Sequence, residues 1–432
     1  MNKETQKKLV IIGAGFAGLQ LARHLDGSDY EVTLLDQNNF HQFQPLFYQV
    51  ATARIEPTSI SFPLRKVFQR TRNVKVRLGQ VQQVDTVARK VVTPYHTFDY
   101  DYLVIATGCT NNYFGNANVE KYAFPMKSTA QAVALRNRIL LNYEALVYAS
   151  DADRPALQNI IVVGGGPTGV EVSGALAEMK NKILPKDYPD RDFSALRIIL
   201  IEGTANTLAA MSPSSQKNSR KYLEQLGVEV RTESLVKDYD GKTVTLQDGT
   251  QIPAFTFIWA AGVTGNVPAG LPPETLVRGN RIKVDQFNEV AGLKGVYAIG
   301  DIAYMETPEF PKGHAQLANV AINQAKNMSR NFKRGEGNWK PFRYKNPGTM
   351  ATIGKRKAVV DLPGFSFAGF FAWLFWMFLH LMLILSVRNK LVIFFNWMIS
   401  YFTNDSTLRV IILPTPKQIR MTDEIIADKS KM

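Results

Sequence analysis

Short apolar runs that end in glycine dominate the first part of the chain. The first run leads directly into the glycine-rich segment 13–18, and the apolar spacing that follows predicts a helix over residues 16–25. A second apolar run, residues 31–35, ends at Asp36. A strand, a glycine turn and a helix in this order are typical of a dinucleotide-binding fold, in which the helix N-terminus faces a pyrophosphate. Asp36 would then accept hydrogen bonds from ribose hydroxyls; the alternative is an ordinary turn beside a surface aspartate.

The same pattern returns about 150 residues later. Residues 159–163 predict a strand, segment 164–169 repeats the glycine spacing, and a further strand ends at Glu202. Two such folds in one chain imply two bound nucleotides. The Glu202 carboxylate would accept from the 2′- and 3′-hydroxyls of a ribose and repel a 2′-phosphate, which favours NADH over NADPH. Arg197 and Lys217 lie nearby in the sequence and keep NADPH open as an alternative.

Three more predicted strands end in loops of the same kind. They lead into Thr107-Gly108, Ala261-Gly262 and Gly300-Asp301. Each segment alone is an ordinary connection from a strand to a loop, whereas all of them in this order fit a chain that binds two nucleotides. The Asp301 carboxylate is a candidate for binding the ribityl or phosphate region of a flavin.

Composition narrows the chemistry further. A chain of 432 residues is too long for one ordinary core, so we expect two or three domains. Cys109 is the single cysteine, which excludes a disulfide framework, a Cys-X-X-Cys redox pair and an iron–sulfur cluster held by this chain's own cysteines. We expect Cys109 to be a small buried filler. Five histidines without metal-site spacing indicate that the chain holds no catalytic metal.

The order of these motifs resembles the two-dinucleotide-binding-domain flavoproteins, and within them the type II NADH:quinone oxidoreductases. The resemblance covers about residues 8 to 413. The stretches that carry it are FHQFQPLFYQVAT at 40–52, GGGPTGVE at 164–171, YAIGD at 297–301 with AQLA at 315–318, and GTMATIG at 348–354.

The resemblance implies FAD in the first fold, NADH in the second and a quinone under the flavin ring. The residues it implies for FAD are Gly13, Ala14, Gly15, Phe16, Ala17, Gly18, Asp36, Gln49, Val81, Thr107, Gly108, Asp301, Gln316 and Leu317. Those implied for NADH are Gly164, Gly166, Gly169, Glu202, Ala261 and Gly262. Those implied for the quinone are Gln316, Asn319 and Val320.

The quinone motif departs from the family pattern at one position. Many members carry a second glutamine where this chain has Val320, and a valine side chain cannot hydrogen-bond a quinone carbonyl. Asn319 or Gln324 is the expected substitute. Gln316 is predicted to open a helix that faces the flavin, with a plain helical first turn as the alternative.

Glu171 is the candidate catalytic residue, since hydride transfer itself needs no protein nucleophile. In the resembling family the matching glutamate lies near the flavin, where an apolar cleft would raise the pKa of the carboxyl and let it pass protons. The alternative is a carboxylate stabilised by a helix N-terminus. For Tyr48 and Gln49 the alternatives are ring stacking and an amide contact to the flavin, or ordinary packing.

The C-terminal part of the chain is strongly apolar. Residues 362–387 carry no formal charge and would reach about 39 Å as one helix, whereas the second uncharged run, 391–404, would reach only about 21 Å. Two polar or aromatic stripes recur at helical spacing, namely Gly369, Trp373, Trp376 and His380 in the first run and Asn396, Ser400 and Asn404 in the second.

These stripes favour two amphipathic helices in the headgroup plane of a membrane, with Arg388 and Lys390 at lipid phosphates. A membrane span over residues 365–387 and a buried homodimer interface are the alternatives. Lys and Arg outnumber Asp and Glu by 51 to 37, an excess that suits an anionic membrane surface. The sequence does not interleave aromatic and basic residues in the pattern typical of nucleic-acid binding, so no nucleic-acid partner is expected.

The expected fold is therefore α/β, with two Rossmann-like dinucleotide-binding domains and a C-terminal membrane-associated helical domain. We expect the FAD domain at 8–112 and 272–342, the NADH domain at 113–271, and the membrane-anchoring domain at 343–432, of which residues 415–432 are a polar tail.

The expected function follows from the resemblance. It is a single-chain, non-pumping respiratory enzyme that passes electrons from NADH through FAD to menaquinone or ubiquinone. We expect it on the cytoplasmic face of a bacterial inner membrane. The alternatives are a soluble NADH-dependent ferredoxin or rubredoxin reductase and a non-catalytic flavin-binding redox sensor.

Overall fold

The computed structural model describes residues 6–413, and the predicted polar tail 415–432 lies outside the described residues. The α-helices in chain order are α1 (Phe16–His24), α2 (Phe47–Ala51), α3 (Leu64–Val67), α4 (Ala117–Tyr122), α5 (Thr129–Tyr148), α6 (Arg154–Gln158), α7 (Pro167–Lys182), α8 (Leu184–Asp187), α9 (Pro213–Gln225), α10 (Ala318–Arg334), α11 (Phe370–Leu383) and α12 (Val387–Thr403).

The β-strands in chain order are β1 (Lys7–Ile12), β2 (Tyr30–Asp36), β3 (Phe40–Gln42), β4 (Ser61–Pro63), β5 (Val74–Leu78), β6 (Gln83–Asp85), β7 (Lys90–Val92), β8 (Thr97–Asp99), β9 (Tyr102–Ile105), β10 (Cys109–Asn111), β11 (Phe124–Pro125), β12 (Asn159–Val163), β13 (Arg197–Ile201), β14 (Val228–Arg231), β15 (Val236–Tyr239), β16 (Thr243–Leu246), β17 (Gln251–Pro253), β18 (Thr256–Trp259), β19 (Val263–Gly265), β20 (Leu276–Val277), β21 (Arg281–Lys283), β22 (Val296–Ala298), β23 (Ala303–Tyr304), β24 (Thr349–Thr352), β25 (Ala358–Leu362) and β26 (Phe365–Ala368).

The first five-stranded sheet has the order β22-β9-β1-β2-β5, and all its neighbours are parallel. Leu9 and Ile11 of β1 point to a core shared with α1 and α10, while Val10 and Ile12 point to a core shared with β6, β7 and β21. Burial on both faces explains why the strand is apolar throughout rather than alternating. Strand β22 enters this sheet from the distant segment after residue 271, as the two-part FAD domain requires.

The second five-stranded sheet repeats the arrangement, with the order β11-β18-β12-β13-β14 and parallel neighbours. Its one face packs against α5, α7 and α9, and its other face packs against the small sheet β15-β16-β17. The two halves are joined by the antiparallel pair β10 and β19, in which Cys109 pairs with Gly265. The prediction of two Rossmann-like domains is confirmed, while the exact domain boundaries stay a prediction.

The C-terminal part consists of the antiparallel sheet β24-β25-β26 followed by α11 and α12. The uncharged run 362–387 is therefore not one helix, because a hairpin and strand β26 occupy its first part. Helix α11 has 14 residues and α12 has 17. Within residues 6–413, no helix combines the length and apolar character that crossing a bilayer requires.

Helix α11 turns its predicted stripe toward the body of the protein. Helix α12 buries Trp397 beside its predicted stripe, of which Asn396 and Ser400 are half-buried and Asn404 is exposed. Trp376 and His380 of α11 and Trp397 of α12 are buried. The outer faces are apolar and exposed, and they carry Phe370, Phe371, Leu374, Phe378, Met382 and Leu383 on α11 and Leu391, Phe394, Phe395, Met398, Ile399 and Phe402 on α12. The orientation differs from an amphipathic helix with its polar stripe at the headgroups, because tertiary packing uses that stripe.

Candidate active site

The first glycine turn lies at the carboxyl edge of the first sheet. A Cβ atom on Gly13 would lie 2.4 Å from the Ala106 carbonyl oxygen, and one on Gly18 would lie 1.9 Å from the Gly13 carbonyl oxygen, so both positions exclude a side chain. The Asp36 carboxylate accepts hydrogen bonds from the backbone N–H groups of Ala14 at 2.6 Å and Asn38 at 2.7 Å. Burial raises the pKa of Asp36, and these two donors oppose that rise.

The second glycine turn reproduces this geometry. A Cβ on Gly164 would lie 2.7 Å from the Ala260 oxygen, and one on Gly169 would lie 1.8 Å from the Gly164 oxygen. The Glu202 carboxylate accepts from the backbone N–H of Gly165 at 2.5 Å and of Thr204 at 2.7 Å. The parallel strands bring Ala261 and Gly262, which follow β18, to the same edge.

The carboxyl edges of both sheets have backbone or polar groups that could contact a nucleotide. A Cβ placed on Gly15, Gly108 or Gly166 would meet no heavy atom within 4 Å, so the backbone there faces open space. The Thr107 hydroxyl is buried and has no hydrogen-bond partner. Buried polar atoms are normally paired, so an orphan hydroxyl at a nucleotide-binding edge fits a bound FAD.

The remaining residues expected at the flavin are distributed around this edge. Ala17 lies against Gly300, where a Cβ would come within 3.2 Å of it. The Phe16 ring meets the His41 ring edge-on at 5.5 Å. Val81 packs partly buried against the core below the sheet, and Leu317 is the exposed residue that precedes α10.

Asp301 and Gln316 lie together, as their motifs predict. The Gln316 amide and the Arg281 guanidinium each donate to the Asp301 carbonyl oxygen at 3.1 Å. Helix α10 begins at Ala318, so the prediction that Gln316 opens a helix is wrong by two residues. The Cys109 thiol donates to an Asp301 carboxylate oxygen at 3.1 Å, which makes Cys109 a partly exposed neighbour of Asp301 rather than a buried filler. Burial, followed by the Asp301 charge, raises the pKa of Cys109 to about 12.

A cleft opens between the nucleotide-binding folds and the C-terminal helices. Its walls come from α2, α7, α11, α12 and the turn after β24, and it is lined by Tyr48, Gln49, Arg54, Glu171, Ala175, Glu178, Lys182, Ile183, Thr352, Gly354, Lys355, Trp373, Trp376, Met377, Trp397, Ser400, Tyr401, Asn404 and Ser406. An aromatic path connects it to the first glycine turn, because Phe16 contacts Phe43, Phe43 contacts His380, and His380 stacks on Trp376 at 4.0 Å.

Glu171 lies deep in this cleft and is 8% exposed. Burial raises the pKa of the Glu171 carboxyl to about 8, while the backbone N–H of Thr352, at 3.4 Å, and the Trp376 indole act in the opposite direction. The carboxyl is therefore largely protonated at neutral pH. The indole N–H of Trp376 is buried and makes no hydrogen bond of regular geometry.

An ion pair between Arg54 and Glu178 forms part of the cleft lining. Glu178 also accepts a hydrogen bond from the backbone N–H of Lys355 at 2.5 Å. Burial alone would raise the pKa of Glu178, but the charge and hydrogen bond of Arg54 outweigh it, so the carboxyl stays ionised.

Comparison with known proteins places the chain in a family. The pyridine nucleotide-disulphide oxidoreductase family matches residues 7–325, and the NDH2 C-terminal domain matches residues 347–404. The type II NADH:quinone oxidoreductase NdhA of Mycobacterium tuberculosis is 35% identical over 409 residues, which cover 91% of this chain and 87% of that protein. The type II NADH:quinone oxidoreductase Ndh of the same organism is 34% identical over 414 residues, 92% of this chain and 88% of that protein.

This chain belongs to the type II NADH:quinone oxidoreductases. The structure of NDH2 from Plasmodium falciparum in complex with NADH has the same fold, with a TM-score of 0.86 at 22% identity over 94% of this chain and 100% of that one. A ferredoxin reductase from Rhodopseudomonas palustris superposes less well, with a TM-score of 0.66 at 20% identity over 83% of this chain and 82% of that one. A soluble ferredoxin or rubredoxin reductase is not favoured, because the Mycobacterium tuberculosis relatives and the NDH2 C-terminal domain match this chain.

The two cations that kept NADPH open have different positions in this oxidoreductase. The Arg197 guanidinium donates to the Glu229 carboxylate at 2.5 Å. Because Arg197 begins β13 and Glu202 follows its end, the two side chains lie at opposite edges of the sheet, and Arg197 is no partner for a 2′-phosphate at Glu202. Lys217 is exposed on α9, and its part in nucleotide choice stays open.

The quinone residues expected on α10 lie apart from the cleft lining. Val320 is buried, and the Gln324 amide oxygen accepts from the Gly300 backbone N–H at 2.7 Å, so Gln324 is occupied inside the protein. Neither Gln316, Asn319 nor Val320 lines the cleft that holds Glu171. Their contact with quinone stays a prediction.

Sequence reasoning missed the cleft residues outside the motifs. Glu178 follows Glu171 by seven residues, so the two carboxyls share one face of α7, and this spacing was a usable signal. No comparable signal links Arg54, Lys355 and Trp397, because they come from separate segments that only the tertiary fold brings together.

Proposed function

We propose that this enzyme oxidises NADH at the second sheet and reduces a membrane quinone in the cleft that holds Glu171, without pumping protons. The balanced reaction takes NADH, one proton and quinone to NAD⁺ and quinol. The observation that carries the proposal is the cleft itself, which joins the neutral, buried Glu171 carboxyl to the helices with exposed apolar faces.

Two sets of residues would hold the nucleotides. Gly13 and Gly18 allow the tight turn, Gly15 leaves room for the FAD pyrophosphate, and Asp36, Thr107 and Asp301 supply polar groups at the same edge. The second turn and Glu202 play the same part for NADH. A bound flavin supplies a two-electron relay between a hydride donor and a quinone, which explains why no nucleophile is needed.

Glu171 would deliver a proton to the reduced quinone. Its carboxyl is protonated below about pH 8 and lies within the cleft, whereas the other cleft carboxyl, Glu178, is held ionised by Arg54. Only the first of these can act as an acid at neutral pH. The ionised Glu178 instead holds the Lys355 turn against α7.

The outer faces of α11 and α12 would dock on an acidic lipid bilayer. Large apolar side chains exposed together on two adjacent helices indicate an interface rather than ordinary surface. Arg388 and Lys390 lie at the start of α12, where they would meet lipid phosphates. A protein docked in this way and supplied with NADH would lie on the cytoplasmic face of a bacterial inner membrane. A homodimer through the same helices is the competing arrangement.

Steady-state turnover tests the proposed function. Purified protein is mixed with liposomes that contain menaquinone or ubiquinone, and NADH or NADPH oxidation is followed. We expect NADH oxidation that depends on quinone and is faster than NADPH oxidation because Glu202 repels the 2′-phosphate. Absence of quinone-dependent NADH oxidation with either quinone contradicts the proposal.

A further inference from the structure

A chain of three buried side chains runs from α12 to the cleft. The Trp397 indole N–H donates to the Gln49 amide oxygen at 2.7 Å, and the Gln49 amide nitrogen donates to the Tyr48 hydroxyl oxygen at 2.9 Å. All three side chains line the cleft and all are less than one-tenth exposed. Gln49, which the family resemblance places at the flavin, therefore has both ends of its amide occupied by protein groups.

The direction of this chain is fixed by chemistry. An indole N–H is a donor and never an acceptor, so the Gln49 atom that meets Trp397 must be the amide oxygen. The Gln49 atom that meets Tyr48 is then the NH₂ group, which can only donate. The Tyr48 hydroxyl oxygen is thereby an acceptor toward Gln49, and its own proton must point elsewhere. Among residues 6–413 no group accepts that proton.

Two further hydrogen-bond donors line the cleft. Glu171 carries a proton at neutral pH, and the buried Trp376 indole N–H lies near the Glu171 carboxyl without a hydrogen bond of regular geometry. The cleft thus presents donors from Tyr48, Glu171 and Trp376, and its other carboxyl, Glu178, already accepts from Arg54 and from the Lys355 backbone. These donors can hydrogen-bond the carbonyl oxygens of a quinone, which are acceptors.

We propose that the Tyr48 hydroxyl is a quinone-binding donor that hydrogen-bonds one carbonyl oxygen, and that Gln49 and Trp397 are positioning residues that orient it. The inference rests on the proposed function and deepens it. Tyr48 serves to hold and polarise the carbonyl and keeps its own proton, because burial, followed by the nearby Glu171, raises the pKa of its hydroxyl. The net proton comes through Glu171.

Helix α12 takes a direct part in orienting the Tyr48 hydroxyl, because it supplies Trp397. Without the Trp397 indole, the Gln49 amide is free to rotate by half a turn and offer its oxygen to Tyr48. The Tyr48 hydroxyl would then donate its hydrogen bond to the Gln49 oxygen and could no longer donate to the quinone. A substitution at Trp397 in α12 would in this way weaken quinone binding, because it changes the orientation of the Gln49 amide.

Three variants test the hydrogen bonds that join Trp397, Gln49 and Tyr48, and quinone kinetics is the measurement. In Tyr48→Phe the donor is absent, in Trp397→Phe the amide is released, and in Gln49→Glu a carboxylate accepts from both neighbours. We expect kcat/KM for quinone to fall about tenfold in each, the effect of one lost hydrogen bond. The double variant Tyr48→Phe/Trp397→Phe should be no worse than Tyr48→Phe alone, because both changes remove the same donor.

Controls separate this role from general damage. Tyr143→Phe and Trp339→Phe also truncate side chains whose polar atom is buried without a partner, but they lie outside the cleft, so quinone kinetics should stay unchanged. Flavin reduction by NADH, measured without quinone, should keep its rate in all variants. Quinone kcat/KM within twofold of wild type in Tyr48→Phe, or additive losses in the double variant, would overturn the proposed roles of Tyr48, Gln49 and Trp397. Failure of the wild type to reduce quinone would instead overturn the proposed function.

Discussion

At the residue scale, the two glycine turns differ in one pair of residues, a backbone N–H donor and the acid that accepts from it. Ala14 in the first turn donates to Asp36, and Gly165 in the second donates to the longer Glu202. A Cβ on Gly165 would lie 2.9 Å from the Cγ and Oε2 atoms of Glu202, so the longer acid requires the smaller residue. Both acids were predictable from the sequence, whereas this pairing of sizes depends on distances that only the folded turn defines.

Gly165→Ala tests the size pairing. The added methyl group would displace the Glu202 carboxylate, and we expect KM for NADH to rise about tenfold while FAD content stays unchanged. Gly165→Ala/Glu202→Asp recreates the Ala–Asp pair of the first turn and should recover most of the lost affinity. Steady-state kinetics measures both, and a double variant no better than the single one would contradict the pairing.

Glu171→Gln tests the proton donor. The pKa of Glu171 is raised from 4.5 to about 8, so the wild-type carboxyl can give a proton below about pH 8 and loses that ability above it. We expect wild-type quinone reduction to fall as pH rises through about 8. The variant should be slower by at least about tenfold at neutral pH and should lack this limb of the profile. Identical kinetics from about pH 5 to about pH 9 would reject the role.

The same substitution has a stability signature with a definite sign. A carboxyl whose pKa is raised on folding stabilises the protein below its unfolded value of 4.5, and this stabilisation is lost as pH rises toward about 8. Glu171→Gln removes that loss. Its melting temperature should therefore exceed the wild-type value at about pH 9, with the difference shrinking toward about pH 5.

At the element scale, the C-terminal helices show where sequence patterns stop. The uncharged run contains Pro363-Gly364, a turn signal, and Gly364 has φ +80° between the paired residues Leu362 and Phe365. That signal predicts the hairpin which shortens the run. The facing of α11 was not predictable, since its aromatic stripe suits a headgroup surface and a protein core equally well, and tertiary packing decides between them.

Phe371→Glu/Phe402→Glu tests membrane docking. Both phenylalanines are about three-quarters exposed on the outer faces of α11 and α12, and two charges there oppose burial in lipid. We expect at least about tenfold weaker binding to acidic liposomes in sedimentation. Val87→Glu is the matched control, because Val87 is equally apolar and 94% exposed in the β6–β7 hairpin. If the double variant binds liposomes as the control does, these faces are not the docking surface.

At the scale of the whole molecule, the sequence predicts the frame of the site better than its contents. Glycine turns and strand-end acids located the carboxyl edges of both five-stranded sheets, because each is a local motif with a local physical cause. The cleft could not be located in this way. Its walls come from α2, α7, the β24 turn, α11 and α12, and only long-range packing sets their distances.

We infer that two nucleotide edges and one cleft carry electrons from NADH to quinone. Anaerobic stopped-flow absorbance of the purified protein tests it most directly. We expect a bound flavin whose absorbance bleaches on addition of NADH and recovers on addition of quinone. A protein that carries no flavin and takes up none when FAD is supplied, or a bleached flavin that quinone fails to reoxidise, would contradict it.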